Sequence, residues 1–271
     1  MPIGLGASLG IGGGRSATSS GALGGGGGLT NELAYPGGLW EESNYEISVA
    51  PEMHFDSLII DGADAANNPS DDATIATWGD RSGNSTDYDA TQGTGSLQPT
   101  YDTASPASVH FVIADKMVLA NMLSSTTSTL VTVGYNPSEL GAIIYEPIVA
   151  DTTWQNSVWL KYGNTHDYLS GSGSGNLSTT RTEPRMHAVV TSSAGGTQTS
   201  KLYEEGGNLL ISKTHTKTND FESVGSGALA FPDSKFNELL VFDTALSTAD
   251  LNIIKDYVVT KYSFTGYAAF S

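Results

Sequence analysis

Short apolar runs separated by clusters of Gly, Ser, Asn, Asp and Pro dominate the chain from Tyr35 onward. This spacing predicts the short strands of a β-sandwich. The predicted strands are, in chain order, Met53–Ile60, Val109–Ala114, Leu130–Tyr135, Ala142–Val149, Ser157–Tyr162, Met186–Thr191, Lys201–Tyr203, Leu209–Lys213 and Phe236–Phe242. Between two of them, the tract Glu-Gly-Gly-Asn at 205–208 predicts a hairpin turn whose glycines can take positive φ.

One segment has helical periodicity, and it follows the last predicted strand. Leu251, Ile254 and Val258 share one face of a helix that we predict from Ser247 to about Tyr262. Ser247 is a favourable N-cap residue, and an acidic residue follows in the first turn, where backbone amides lack partners. The sequence therefore predicts an all-β fold that ends in a single helix.

Composition and charge narrow the class of protein. The 271 residues suit one large all-β domain with an appendage. The absence of cysteine excludes disulfides and thiolate zinc sites. A net charge of −17 repels nucleic acids and anionic membranes, so neither is expected as a partner. No apolar stretch reaches the about 18 residues of a membrane span, and the N-terminal residues do not have the pattern of a signal peptide.

Residues 1–31 contain 12 glycines and a single charged residue. One interpretation is a disordered linker, because glycine loses the most entropy on ordering. The other is an extended arm whose small apolar residues lie closely against a neighbouring subunit. We divide the chain into an arm at 1–34 and a sandwich domain at 35–271. The apolar contacts of the arm would be Ile3, Leu5, Leu9, Ile11, Leu23 and Leu29.

Two tracts carry a family resemblance. The first runs from Trp78 to Tyr101 and contains Trp-Gly-Asp-Arg-Ser-Gly-Asn, Asp-Ala-Thr-Gln and Gln-Pro-Thr-Tyr; the second runs from Phe236 to Asp250. Together they resemble the laminin G-like branch of the concanavalin A-like lectin and glucanase fold. The resemblance covers roughly Met53 to Tyr262 and implies a two-sheet jelly-roll sandwich with one C-terminal helix. Because this fold hosts lectins, hydrolases and adhesion modules, it implies no single ligand.

The glycine-rich start in front of such a domain also resembles virion proteins of tailed bacteriophages. That resemblance implies a non-enzymatic capsid decoration protein or tail appendage on the virion surface. Residues 1–31 would then contact other virion subunits, in a homo-oligomer or in many copies. The alternatives are a carbohydrate-binding module of a cell-surface or secreted protein and, third, a glycoside hydrolase. Hydrolases of this fold use a Glu-x-Asp-x-x-Glu strand, which the sequence lacks, so we expect no enzyme and no catalytic residues.

Aromatic residues concentrate in one part of the sequence. Trp154, Trp159, Tyr162, His166 and Tyr168 lie close together along the chain. Aromatic faces stack on sugar rings, so these residues are candidates for a glycan-binding surface. Aromatic residues in strands also form cores, and that alternative remains open for each of them.

One loop is a candidate for a metal site. Asp80, Asn84, Asp87 and Asp89 offer hard oxygen ligands around Gly83, and calcium takes such ligands from flexible loops. In the alternative interpretation, Asp80 and Asn84 hydrogen-bond the backbone of a tight turn in which Gly83 has positive φ. The sequence leaves both open.

Overall fold

The computed structural model describes most of the chain. It covers residues 30–36, 38, 43–112, 115–135, 142–145, 158–161, 167–168, 174–175, 184–215, 219–225 and 234–271. All six apolar residues predicted to form the contacts of the arm lie outside the described residues. Of the strands at 142–145, 158–161, 167–168 and 174–175, only the backbone is described.

The described residues form eighteen strands and one α-helix, α1, at Thr248–Tyr262. The first nine strands are β1 Thr30–Ala34, β2 Ser43–Glu46, β3 Met53–Asp56, β4 Thr77–Trp78, β5 Ala90–Thr91, β6 Thr100–Asp102, β7 Ser108–Phe111, β8 Lys116–Ser125 and β9 Ser128–Tyr135. The remaining nine are β10 Ala142–Tyr145, β11 Val158–Lys161, β12 Asp167–Tyr168, β13 Ser174–Gly175, β14 Arg185–Ala194, β15 Thr197–Glu204, β16 Asn208–His215, β17 Asn219–Gly225 and β18 Ser234–Phe242.

Two antiparallel sheets make up the body of the molecule. The large sheet has the strand order β16-β15-β14-β9-β18-β7-β6, and β3 also pairs with β18. The smaller sheet has the order β17-β8-β5-β4. Strands β10 to β13 form a further antiparallel sheet whose first strand lies beside β17, and β1 pairs with β2 in parallel.

The inner core lies between the two main sheets. Side chains alternate along β18, so that Leu239 and Val241 point into this core while Leu240 and Phe242 point to the opposite face. The core also contains Trp78, which is fully buried. The structure is therefore a β-sandwich, and the predicted fold class is confirmed.

An outer layer, formed by α1, β1, β2 and the residues after α1, covers the other face of the large sheet. Leu251, Ile254 and Val258 of α1 are buried there in an outer core that includes Leu33 of β1. The Oγ of Ser247 accepts a hydrogen bond from the backbone N–H of Asp250 at 3.1 Å. The predicted helix and its N-cap are thus confirmed.

All nine predicted strands overlap observed strands, with ends displaced by a few residues. Sequence patterns missed others, among them the ten-residue β8 at Lys116–Ser125 and β17 at Asn219–Gly225. In β8, mostly polar or exposed residues follow Leu119, so the alternation fades along the strand. Leu33 and Ala34 of β1 are buried, so the final residues of the predicted arm belong to the packed domain.

The hairpin between β15 and β16 also forms as predicted. Glu205 and Gly206 have φ values of 50° and 84°. The C-terminal residues pack on this turn, with the Gly207 N–H donating to the Ala268 carbonyl at 3.0 Å. A Cβ at Gly206 would lie 2.2 Å from the same carbonyl oxygen, so the close approach requires glycine. Within the described residues, no helix has the length and apolar character needed to cross a membrane.

Candidate functional site

A group of charged and polar side chains is buried between the large sheet and the outer layer. We call it the buried charge network: His54, Asp56, Arg81, Glu238 and Lys261, with the hydroxyls of Tyr35, Tyr257 and Tyr262. Side chains alternate along β3. Met53 and Phe55 point into the inner core, so His54 and Asp56 point to the opposite face, where the network lies.

Glu238 is the hub of the network. It stands on β18 directly opposite Asp56 of β3. Its Oε1 accepts hydrogen bonds from the Tyr257 hydroxyl at 2.6 Å and from His54 Nε2 at 2.7 Å. Its Oε2 accepts from the Tyr262 hydroxyl at 2.9 Å and from Lys261 Nζ at 3.1 Å. Both oxygens are therefore fully engaged by protein groups.

Asp56 is held by two cations. Its Oδ2 contacts Arg81 Nη1 and accepts from Lys261 Nζ at 2.9 Å. Arg81 Nη2 also lies 3.7 Å from the Glu32 carboxylate on β1, which ties the first strand to the network. Burial would lower the pKa of Lys261, but the two carboxylates outweigh it and raise that pKa. The ammonium group is therefore charged at any ordinary pH.

His54 connects the network to the chain that follows β1. Its Nδ1 lies 2.9 Å from the Tyr35 hydroxyl oxygen, which also lies 3.1 Å from the Arg81 carbonyl oxygen. Burial, reinforced by the positive charge of Arg81, lowers the pKa of His54 to about 4. The imidazole is therefore neutral at pH 7. Asp56 and Glu238 face Arg81 and Lys261 in the network, and the Glu32 carboxylate lies at its edge beside Arg81.

This arrangement limits the chemistry of the site. His54, Asp56 and Glu238 place ligand atoms within 4.8 Å of one another, a spacing that would suit a metal ion. Two buried cations already neutralise the carboxylates, however, and a metal ion would have to displace them. Asp56 and Glu238 side chains are each only 1% exposed, so a substrate cannot reach them. The network fastens α1 to the sheet.

The sequence analysis missed this network, although two signals were present. Glu238 interrupts the apolar run Phe236–Phe242. Lys261 lies three residues after Val258 and seven after Ile254, which places it on the apolar face of the helix. A charge on each of two apolar surfaces indicates a buried ion pair when those surfaces meet.

The predicted metal loop forms a series of turns. The Asp80 carboxylate accepts hydrogen bonds from the N–H groups of His54 and Ser82, and the Asp89 carboxylate accepts from the Asp80 N–H at 2.8 Å. Asp87 accepts from the Asp89 N–H, and Asn84 from the Thr86 N–H. Gly83 has a φ of 74°. These contacts match the turn interpretation. Calcium binding stays a prediction, and equilibrium dialysis at millimolar calcium tests it.

The predicted glycan surface falls largely outside the described residues. Trp154, Tyr162 and His166 are among the residues not described. Trp159 and Tyr168 are directly opposite each other in the β11–β12 ladder, and only their backbone is described. This register brings two of the five predicted residues to neighbouring positions of one sheet.

The inner face of the large sheet becomes polar toward β15. Thr132, His187 and Glu204 form one cross-strand row, with His187 Nε2 3.5 Å from a Glu204 carboxylate oxygen. In a nearby row, the Thr191 and Ser200 hydroxyls are 2.7 Å apart. All five residues are buried. The sequence analysis predicted these strands but did not indicate a polar row on their inner face.

Comparisons with known proteins give only distant structural likenesses. A Trypanosoma rangeli sialidase in complex with sialic acid is 13% identical with a TM-score of 0.45, over 73% of this chain and 33% of that chain. The binding domain of Paraclostridial Mosquitocidal Protein 1 is 12% identical with a TM-score of 0.41, over 68% and 50%. The botulinum neurotoxin serotype D ligand binding domain in complex with N-acetylneuraminic acid is 14% identical with a TM-score of 0.40, over 76% and 50%.

The chain thus spans a third to a half of the length of these structures. Likenesses of this size do not identify a function. No protein-family model matches the chain, and no curated protein matches it significantly.

Proposed function

We propose that this protein is a non-enzymatic display protein of a virion surface, built as a capsid decoration protein or tail appendage. Its laminin G-like sandwich carries an adhesive surface for glycans, and the glycine-rich segment at residues 1–31 anchors it to other subunits. The sequence resemblances described above support both parts.

One structural observation favours a binding role over hydrolysis. Asp56 and Glu238 stand side by side on paired strands, as an acid and nucleophile pair of a glycosidase would. They are buried beneath α1, and Lys261 contacts both of them at 2.9 and 3.1 Å. A general acid needs a proton at working pH, yet Glu238 has a pKa well below its usual range, because Lys261 and His54 outweigh its burial. The pair therefore suits a structural role.

The position of β1 supports the anchoring role. Leu33 and Ala34 are buried in the outer layer, and Glu32 lies beside Arg81. The end of the glycine-rich segment is thus fixed to the sandwich by a packed strand. A force on the segment would be transmitted to the large sheet through β1.

A glycan array tests adhesion. The full chain is expected to bind a defined set of glycans, Trp159→Ala to lose them, and Trp159→Phe to keep most of the signal because an aromatic face remains. Met122→Ala is the matched control, since Met122 is exposed on β8, away from β11. Unchanged binding by Trp159→Ala would contradict the proposed surface, and release of sugar products by the wild-type protein would contradict the non-enzymatic role.

Deletion of residues 1–29 tests anchoring. The deletion keeps Thr30–Ala34, because Leu33 and Ala34 belong to the outer core. The shortened protein is expected to fold, to keep any glycan binding and to be absent from purified particles. Full incorporation would contradict the anchor, while a monomer that still binds glycans would favour a carbohydrate-binding module instead.

A further inference from the structure

Strand β16, at Asn208–His215, forms one end of the large sheet. Within the described residues, it pairs with β15 on one side and with no strand on the other. In an antiparallel sheet, alternate residues of such a strand direct their backbone N–H and C=O groups away from the sheet. The outer side of β16 is therefore a row of backbone groups with which another extended chain can pair.

The other ends of the two main sheets are short or covered. Strand β6 has three residues, and Thr74 forms a β-bridge with Thr100 on its far side. Strand β4 has two residues, and β10 lies beside β17. Among the described strands that pair on one side only, β16 is the longest.

Strand β16 has few of the features that protect sheet edges from pairing. It contains no proline, and its one charged residue is Lys213. Its bulge lies near the turn, so Ile211–His215 form a regular ladder with β15. Leu209 and Leu210, at the bulge, are 51% and 36% exposed. Two adjacent exposed leucines on an open edge indicate a surface that favours a partner with apolar side chains.

The N-terminal sequence contains a tract that fits this edge. From residue 3 to residue 11 the odd positions are apolar and the even positions are small, with Ile3, Leu5, Ala7, Leu9 and Ile11 alternating with Gly4, Gly6, Ser8 and Gly10. A period of two places the apolar side chains on one face of an extended strand. Such a strand would be about 30 Å long and β16 spans about 27 Å, so the two match in length.

The glycines of the tract favour pairing with a strand that already exists. Glycine loses more conformational entropy than any other residue when its backbone is fixed, so a separate strand built from this tract is unfavourable. Addition to a preformed edge supplies backbone hydrogen bonds along the whole tract. The face without side chains also permits a close approach to a neighbouring surface.

We propose that residues 3–11 of one copy add as a strand to the open edge of β16 in a second copy. The proposal rests on the anchoring role proposed above and assigns a receptor to the anchor. Each copy gives one tract and receives another, so the contact is head-to-tail and propagates into a ring or a chain of copies.

Electrostatics favours this contact over one between two sandwich faces. Each copy has a net charge of −17, so two such bodies repel each other when they are brought together. Residues 3–11 carry no charge, and β16 contains no acidic residue. The tract can therefore bind while the bodies stay apart, because residues 12–29 span up to about 60 Å when extended.

Complementation between two full-length variants tests the proposal. Leu5→Lys/Leu9→Lys places charges on the apolar face of the tract, and Leu209→Lys/Leu210→Lys places them on the edge. Size-exclusion chromatography with light scattering measures assembly. Each variant alone is expected to be a monomer at a concentration where the wild-type protein assembles. Their equimolar mixture is expected to form a dimer, because it contains one intact tract and one intact edge.

Two control variants carry the same added charge elsewhere. Leu23→Lys/Leu29→Lys lies in the glycine-rich segment outside the alternating tract, and Val118→Lys/Met122→Lys changes exposed residues of β8, which has a strand on each side. Both are expected to assemble like the wild-type protein. A monomeric wild-type protein, or a mixture that stays monomeric, would overturn the proposal.

Hydrogen–deuterium exchange identifies the receiving strand. Peptides from β16 are expected to exchange at least about tenfold more slowly in the assembled wild-type protein than in Leu5→Lys/Leu9→Lys. Peptides from α1 should exchange equally in both, which also verifies that the variant is folded. Slow exchange of β16 in a monomeric wild-type protein would mean that the tract pairs with its own chain, and would overturn pairing between copies.

A further variant separates strand pairing from unspecific apolar contact. Exchanging two leucines with the glycines that follow them, as Leu5→Gly/Gly6→Leu/Leu9→Gly/Gly10→Leu, keeps composition and charge but places apolar side chains on both faces of the tract. Assembly is expected to be lost. Assembly as strong as that of the wild-type protein would overturn strand pairing.

Particle incorporation distinguishes this proposal from the proposed function. Loss of the protein from particles on deletion of residues 1–29, with normal incorporation of Leu209→Lys/Leu210→Lys, would keep the anchor and overturn β16 as its receptor. Full incorporation of the deletion, with dimers in the equimolar mixture, would contradict the virion anchor and support the pairing of copies.

Discussion

Replacement of Lys261 by methionine is the most direct test of how α1 is held. The Nζ of Lys261 lies 2.9 Å from an Asp56 oxygen, 3.1 Å from a Glu238 oxygen and 2.8 Å from the Tyr257 hydroxyl. Its side chain is only 8% exposed. Methionine keeps the aliphatic part of the side chain but leaves two buried carboxylates facing a single remaining cation, Arg81.

The expected loss in the free energy of unfolding is large. Removing one partner of a buried ion pair destabilises a protein by about 3–5 kcal/mol, because the other charge stays buried without compensation. Whole domains are stable by only about 5–15 kcal/mol. Guanidinium denaturation at pH 7, followed by circular dichroism, measures the loss. With an m-value of about 5 kcal/mol/M, the midpoint is expected to fall by about 0.6–1 M.

Lys255→Met is the matched control on the same helix. The Lys255 side chain is 13% exposed, but its ammonium pairs with Asp256, whose side chain is 58% exposed. Because water reaches the carboxylate of this pair, the pair is expected to contribute about 0–1 kcal/mol. The two variants are therefore expected to differ by at least about 2 kcal/mol. A Lys261→Met variant that is as stable as Lys255→Met would refute the reasoning. The double variant Glu238→Gln/Lys261→Met should recover part of the loss, since it removes one of the stranded charges.

Three further predictions concern other contacts. Ser247→Ala removes the N-cap of α1 and is expected to cost about 1 kcal/mol in thermal unfolding, whereas the exposed neighbour Thr248→Ala should cost less than half of that. Gly206→Ala is expected to lower the free energy of unfolding by at least about 2 kcal/mol, because a Cβ there would lie 2.2 Å from the Ala268 carbonyl oxygen. Gly195 also has a positive φ, of 59°, but has open space around it, so Gly195→Ala should lower it by only about 1 kcal/mol. Equal losses for the two variants would contradict the role of the close approach. Trp78→Phe removes inner-core volume and the hydrogen bond to the Asp56 carbonyl at 3.2 Å, so the free energy of unfolding, measured by denaturant titration, is expected to fall by about 2–3 kcal/mol. The control Met122→Ala changes an exposed side chain and should lower it by less than about 0.5 kcal/mol.

The sequence predicted the parts of the fold whose signals are local. Ser247 and the spacing of the apolar residues predicted the α1 helix, and the apolar run Phe236–Phe242 predicted β18. A tight turn around Gly83 was one of the two interpretations that the sequence left open, and the hydrogen bonds of Asp80 and the positive φ of Gly83 match it. Each of these features depends on residues close together in the chain, where spacing determines geometry.

The buried charge network depends on contacts that spacing does not encode. His54, Arg81 and Glu238 are far apart in sequence and meet only because β3 pairs with β18 and the loop after β4 folds beneath β1. The spacing of Lys261 from Ile254 and Val258 places it on the apolar face of α1, but spacing alone does not show which carboxylates it meets. The short strands β4, β5 and β6 were missed for a related reason, since two or three residues carry no measurable alternation.

From Phe236 to Phe242, strand β18 has no face that water reaches. Seven consecutive residues from Phe236 to Phe242 are buried, because the strand contributes to the inner core on one side and to the outer core and the charge network on the other. Neither face can vary without disturbing a packed layer. In a library of random substitutions, this segment should tolerate the fewest changes of any strand, and in distant relatives it should be the last part of the sequence to become unrecognisable.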